Sequence, residues 1–69
     1  GNPLCEMCFD HDGKVIRARI VEHSGDTRVD EGILNSLYYW RASGEELEKL
    51  QGDDTLDIVI RMMLSRRKS

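Results

Sequence analysis

Apolar residues recur every second position near both ends of the chain and every third or fourth position in its middle. Over 4–9, Cys5, Met7 and Phe9 alternate with Glu6 and Cys8, a period of two that predicts a half-buried strand with Cys5 in the core and Cys8 on the surface or an edge. Asp10-His11-Asp12-Gly13 follows. An Asp-Gly pair between strand-like runs signals a hairpin, because Gly supplies the positive φ of the turn. A second strand is expected over 15–22, rich in β-branched Val15, Ile16, Ile20 and Val21. Its Arg17 and Arg19 face water, and Ala18 and Ile20 share the buried side. His23-Ser24-Gly25-Asp26 ends it.

The period then changes. Val29, Ile33, Leu37 and Trp40 fall at i, i+4, i+8 and i+11, one face of a helix that Leu34 and Tyr38 widen. Thr27 with Asp30 three residues on resembles a capping box, and Gly44 is the expected stop. Gly32 inside the helix is either a tolerated cost of about 1 kcal/mol or a mark of close approach to the sheet. A short, mostly solvated helical turn is expected over 45–50 and a loop over 51–54. The cleanest strand pattern runs over 55–64: Leu56, Ile58, Ile60, Met62 and Leu64 face one way, and Asp57, Val59, Arg61 and Met63 the other.

This order predicts an α+β fold, β-β-α-β, with a three-stranded antiparallel sheet and one main helix packed on one face. Such a sheet has two edges, each a row of unpaired backbone groups.

With 69 residues the chain holds one domain, taken as 4–64, with a linker remnant at 1–3 and a basic tail at 65–69. A domain of this size buries only about 60% of its unfolded surface, so association with a partner strand or a second copy is a plausible source of stability. Charged residues at 33% against 39% hydrophobic indicate an ordinary folded balance. The net charge of −3 gives no electrostatic reason to expect nucleic acid, and Arg66-Arg67-Lys68 reads as a solvated end. No apolar run approaches the ~20 residues of a membrane span and no signal-peptide pattern appears, so any anchor would lie upstream.

Four constellations could carry chemistry. Cys5-x-x-Cys8 has redox-motif spacing, but on a strand that spacing sends the thiols to opposite faces. Cys5, Cys8, His11 and His23 make a permissible zinc set, yet a strand of about eight residues separates the histidines by roughly 25 Å, and no metal is expected. Asp10-x-Asp12-Gly13 matches the opening of a calcium loop without its downstream Glu, and the remaining aspartates fit turns, caps and solvated faces. No nucleophile–base set emerges, so no catalytic residue and no cofactor are expected. Among Tyr38-Tyr39-Trp40, Tyr38 and Trp40 fit the core side of the helix. Tyr39 points out and, with Arg41, forms a possible aromatic binding patch.

In order and spacing, Phe9-Asp10-His11-Asp12-Gly13-Lys14-Val15, Ala18-Arg19-Ile20-Val21-Glu22-His23-Ser24-Gly25, then Val29-Asp30, Leu34, Leu37 and Trp40-Arg41 resemble the TonB C-terminal domain. The likeness covers Met7 to Ala42, with the final strand fitting by pattern. It departs at Ala42 and Ser43, where the family has an aromatic and a Pro, in lacking the family's segment before the first strand, and in carrying Cys5 and Cys8. The resemblance implies a divergent, periplasmic, non-enzymatic energy-transducer module, anchored to the inner membrane through an upstream segment. Such a module takes a peptide segment of a protein partner, as of an outer-membrane receptor, as an added strand. The family's binding edge is its last strand, which here places Asp57, Val59, Arg61 and Met63 beside the peptide. Two alternatives stand beside it: a self-associating module of another envelope complex, forming a homodimer through the same edge, and a redox or metal-responsive domain using Cys5 and Cys8.

Overall fold

A computed structural model describes residues 1–63. The elements are β1 (Leu4–Phe9), β2 (Val15–Glu22), α1 (Thr27–Leu37), α2 (Glu45–Glu48) and β3 (Leu56–Arg61). The three strands form one antiparallel sheet in the order β2-β1-β3, so the fold is α+β as the periodicities predict. The first strand to appear is the central one, and β2 and β3 are the two edges.

One sheet face carries the core. Cys5, Met7 and Phe9 from β1 and Val15 from β2 are buried there beneath Leu37 of α1 and Leu47 of α2. Ala18, Ile20, Leu56, Ile58, Ile60 and Met62 pack around them half-buried. Pro3, read from sequence as linker, belongs to this body: it is fully buried, and its carbonyl accepts the Met62 N–H at 2.8 Å. The short turn over 45–50 likewise contributes Leu47 to the core rather than remaining solvated.

The apolar doublets Val15-Ile16 and Ile20-Val21 break the alternation of β2, and the ladder shows how. The register with β1 steps from Val15 to Arg17 and from Ile20 to Glu22, skipping Ile16 and Val21. Such irregularities let two consecutive apolar residues occur in a half-buried strand. The skipped pair stay outside, 43% and 39% exposed.

The helix begins one residue earlier than its sequence signature suggested. Asp26 is the N-cap, its carboxylate accepting from the Arg28 and Val29 N–H groups, and Thr27 is already helical. Asp30 does not reach back to cap. It turns upstream to the end of β2, where it accepts the Ser24 N–H at 3.1 Å and meets His23 Nδ1 at 3.1 Å. The helix also ends earlier, at Leu37, with tight closing bonds from Tyr39 N–H to the Ser36 carbonyl and Trp40 N–H to the Leu37 carbonyl. Gly44 therefore does not stop α1; it precedes α2, at φ +132°. Trp40 and Tyr38 consequently leave the core side and are 39% and 45% exposed. At Gly32 an added Cβ would meet open space, which removes the close-approach reading.

The segment after α1 folds onto the free edge of β2. Arg41 forms an antiparallel bridge with Lys14, and the Ala42 N–H donates to the Gly13 carbonyl at 2.9 Å. Gly13 is needed twice over. Its φ of +80° turns the hairpin, and a Cβ there would lie 2.0 Å from the Ala42 carbonyl oxygen. The hairpin is further fixed by the Asp10 carboxylate, which accepts from the Lys14 and Asp12 N–H groups and is held below the ordinary Asp range chiefly by the first of these.

Candidate functional site: the free edge of the third strand

The hydrogen-bonding phase of the sheet determines which backbone groups of β3 remain available. In an antiparallel ladder, paired residues alternate between those that exchange bonds and those whose N–H and C=O point away. The Met62 N–H bonds to Pro3 on the β1 side, so Met62, Ile60, Ile58 and Leu56 turn their backbone groups toward β1. Asp57, Val59 and Arg61 must then turn theirs outward, off the sheet. The far strand gives the same phase independently: the outward Ala18 N–H of β2 leaves Met7 to bond with Ile58 of β3. Among the described residues, no hydrogen bond reaches the backbone of Asp57, Val59 or Arg61 from outside the ladder.

The two edges therefore differ. On β2 the outward Ala18 N–H donates to Tyr38 Oη at 3.3 Å, and Arg41 and Ala42 cover the strand's entry. On β3 the row stays open among the described residues. The side chains sequence placed there, Asp57, Val59, Arg61 and Met63, are all exposed, and Leu56, Ile58, Ile60 and Met62 face the core. The ladder strand itself is shorter than the 55–64 pattern, ending at Arg61, and Leu64 and the 65–69 tail lie outside the described residues.

The second candidate patch does not join the first. Tyr39 is 85% exposed, but Arg41 has its backbone bound at the β2 edge and its Nη1 turned onto the Trp40 carbonyl at 3.1 Å. Tyr39 and Arg41 thus belong to the covered edge, across the sheet from β3. The sequence pattern put Tyr38 on the core side of the helix and so missed it as the residue that takes the Ala18 N–H; no local signal marked this role.

Opposite the helix, the sheet presents Glu6, Cys8, Arg17, Arg19, Asp57, Val59 and Arg61. Cys8 is not a surface residue as expected but only 4% exposed. Its strand is central, and Arg17, paired directly across from it, lays its guanidinium 3.6 Å from Cys8 Sγ. Arg19 pairs with Glu6 at 2.7 Å, and Arg61 crosses Leu4 to reach Glu22 at 3.2 Å and the Asn2 carbonyl at 2.9 Å. These exposed pairs contribute little stability, but they fix where the charges lie. A shallow hollow of about 290 Å³ lies among Glu6, Cys8, Arg17, Arg19 and Asp57.

Cys5 and Cys8 are both free and on opposite faces, so their spacing does not make a disulfide. Burial, and then the charge of Asp30, push the Cys5 thiol pKa up, which disfavours the reactive thiolate. Among the described residues no three His, Cys, Asp or Glu side chains converge to hold a metal ion, and no helix is long and apolar enough to cross a membrane. Comparison with known families, curated proteins and solved structures finds no match for this chain.

Proposed function

We propose that this domain is a peptide-gripping module of the cell envelope that accepts an extended segment of a partner protein as a fourth strand along β3, in the manner of TonB-type transducers, and catalyses no reaction. One observation carries the reading. Among the described residues the outward N–H and C=O groups of Asp57, Val59 and Arg61 form an open row on one edge, whereas the opposite edge has its entry covered by Arg41 and Ala42 and its Ala18 N–H taken by Tyr38. An added strand gains affinity through these backbone groups and specificity through alternate side chains. Its inward side chains would continue the half-buried row Leu56, Ile58, Ile60 and Met62, and its outward ones would lie beside Asp57, Val59, Arg61 and Met63. The partner is then an apolar–polar alternating segment, such as one from an outer-membrane receptor, and the domain is periplasmic, held near the inner membrane by an upstream anchor.

Amide-shift titration with candidate receptor segments tests this. Shifts should concentrate on 57–63 and leave 15–22 unmoved. Val59→Pro removes an outward N–H without touching the β1–β3 ladder, so it should abolish binding while the fold survives. A peptide that binds with its shifts elsewhere, or one that binds Val59→Pro equally well, would overturn the strand-addition reading.

A further inference from the structure

We infer that the free edge of β3 is built to receive a second copy of itself, in one antiparallel register centred on Val59, and that this homodimer masks the peptide-accepting edge. The inference rests on the reading of β3 as the receptive edge.

The case begins with what an antiparallel neighbour must satisfy. Its backbone must meet the outward groups of Asp57, Val59 and Arg61. Its inward side chains must be apolar, to continue beside Ile58 and Ile60. Its outward row must place an acid opposite Arg61 and a base opposite Asp57, because directly opposed charges on one sheet face attract or repel according to sign. Read in the antiparallel direction, that requirement is an acidic residue, an apolar residue two positions later, and a basic residue two positions after that, with apolar residues between. Asp57-Ile58-Val59-Ile60-Arg61 is such a segment. The edge is complementary to its own sequence.

The pairing is isologous, as a two-fold contact between copies requires. Val59 faces the partner's Val59 on the axis. Asp57 lies opposite the partner's Arg61, and Arg61 opposite the partner's Asp57. On the core side Ile58 meets the partner's Ile60, and Leu56 the partner's Met62. All three outward residues fall in hydrogen-bonded positions, since their N–H and C=O groups point off the sheet together. The product is one continuous sheet in the order β2-β1-β3-β3-β1-β2. The α1 helices pack against β2 and so stand away from the seam.

The charges also reject the neighbouring registers. A slip that centres the axis on Asp57 sets two aspartates face to face, and one that centres it on Arg61 opposes two arginines. Slips that centre the axis on Ile58 or Ile60 keep the backbone match but set Val59 opposite Asp57 or Arg61 and lose both charge pairs, and an axis between two residues opposes outward-bonded with inward-bonded groups. Within one copy Arg61 leans over Leu4 to Glu22, an exposed contact at 3.2 Å, so its guanidinium has a weak alternative to exchange for the partner's Asp57. The Asp57 side chain has no hydrogen bond or ion pair among the described residues.

Sedimentation equilibrium over a concentration series, with isotope-filtered NOEs on mixed labelled and unlabelled chain, tests the proposal. The chain should reach dimer mass reversibly, with intermolecular NOEs between Val59 methyls. Asp57→Arg opposes two arginine pairs at once and should weaken association about tenfold or more. Arg61→Asp should do the same, and an equimolar mixture of the two variants should associate again as a heterodimer. If Arg61→Asp fails to fold for loss of its Asn2 and Glu22 contacts, Asp57→Arg and Val59→Pro carry the test, and each must weaken the dimer about tenfold or more. A chain that stays monomeric at every concentration, or a dimer whose dissociation constant is unchanged by Asp57→Arg and Val59→Pro, overturns the inference. A peptide titration on the parent chain, at dilutions where it is monomeric, separates the two readings. Monomeric wild type with peptide-induced shifts at 57–63 refutes self-pairing and supports peptide addition. A charge-sensitive dimer with no peptide shifts supports self-pairing and refutes peptide addition.

Discussion

Replacing Gly13 by Ala tests whether the strap over the β2 edge is locked by the hairpin or merely lies beside it. Three terms set the size. Placing a non-glycine residue at φ +80° costs about 1–2 kcal/mol. A Cβ 2.0 Å from the Ala42 carbonyl oxygen, which is backbone and cannot rotate away, forces the strap to shift, and the Ala42 N–H to Gly13 bond at 2.9 Å is lost for roughly another 1 kcal/mol. Against these, a less flexible unfolded chain returns about 0.4–1 kcal/mol. The net is about 2 kcal/mol of destabilisation, or roughly 10–15 °C in Tm for a domain of this length. Gly32→Ala is the matched control: same chemistry, open space at the Cβ and a helical backbone, so it should stabilise by about 1 kcal/mol. Urea titrations of both variants, with amide exchange at Ala42, decide the matter. Gly13→Ala within about 0.5 kcal/mol of the parent, at unchanged Ala42 protection, would refute the proposed lock.

Other expectations follow from single contacts. Asp26→Ala removes the carboxylate that caps α1 and should cost about 1 kcal/mol by chemical denaturation, whereas Thr27→Ala should cost less. Tyr38→Phe deletes the acceptor for the outward Ala18 N–H, so Ala18 exchange should accelerate and stability fall by about 0.5–1.5 kcal/mol; unchanged exchange would show that the hydroxyl does not cover this edge. Hydrogen bonds from Ser24, and then from His23, hold the Asp30 carboxyl below the ordinary Asp range. A carboxyl whose folded pKa is depressed binds its proton more readily when unfolded. Its stabilising contribution is therefore complete above the unfolded value of about 3.9 and is lost as pH falls through the folded one. Denaturation midpoints measured from pH 6 downward should show a steeper acid loss in the parent than in Asp30→Asn.

The strands were legible because their signals are local. Alternation marks β1 and β3, and Asp-Gly marks the hairpin. The edge residues Asp57, Val59, Arg61 and Met63 follow from the alternation, once β3 is known to lie outside. What could not be read was anything fixed by a neighbour distant in sequence. The periodic stripe continues through Trp40, yet the helix stops at Leu37, because Arg41 and Ala42 are drawn into pairing with Lys14 and Gly13. Cys8 looks solvent-facing by alternation, but a central strand flanked on both sides buries a small residue beneath the long side chain of Arg17. Asp30 fits a capping box by spacing, but the end of β2 offers it two donors that the helix terminus does not. Pro3 has no periodicity to join, and only the Met62 N–H reveals that it belongs to the sheet.

The phenolic hydroxyl that occupies the Ala18 N–H has a consequence for how far assembly can proceed. A sheet with two receptive margins can add copies without limit, each newcomer presenting a fresh margin to the next, which is how fibrils grow. Here one margin is occupied in part from within the chain, at the Ala18 N–H and at the entry beside Gly13 and Lys14. A copy that joined through β3 would bring this obstructed margin with it, and further growth would be opposed from the first step. On the proposed pairing Tyr38 would be a chain stopper, which Tyr38→Phe tests: the variant should form assemblies larger than the dimer.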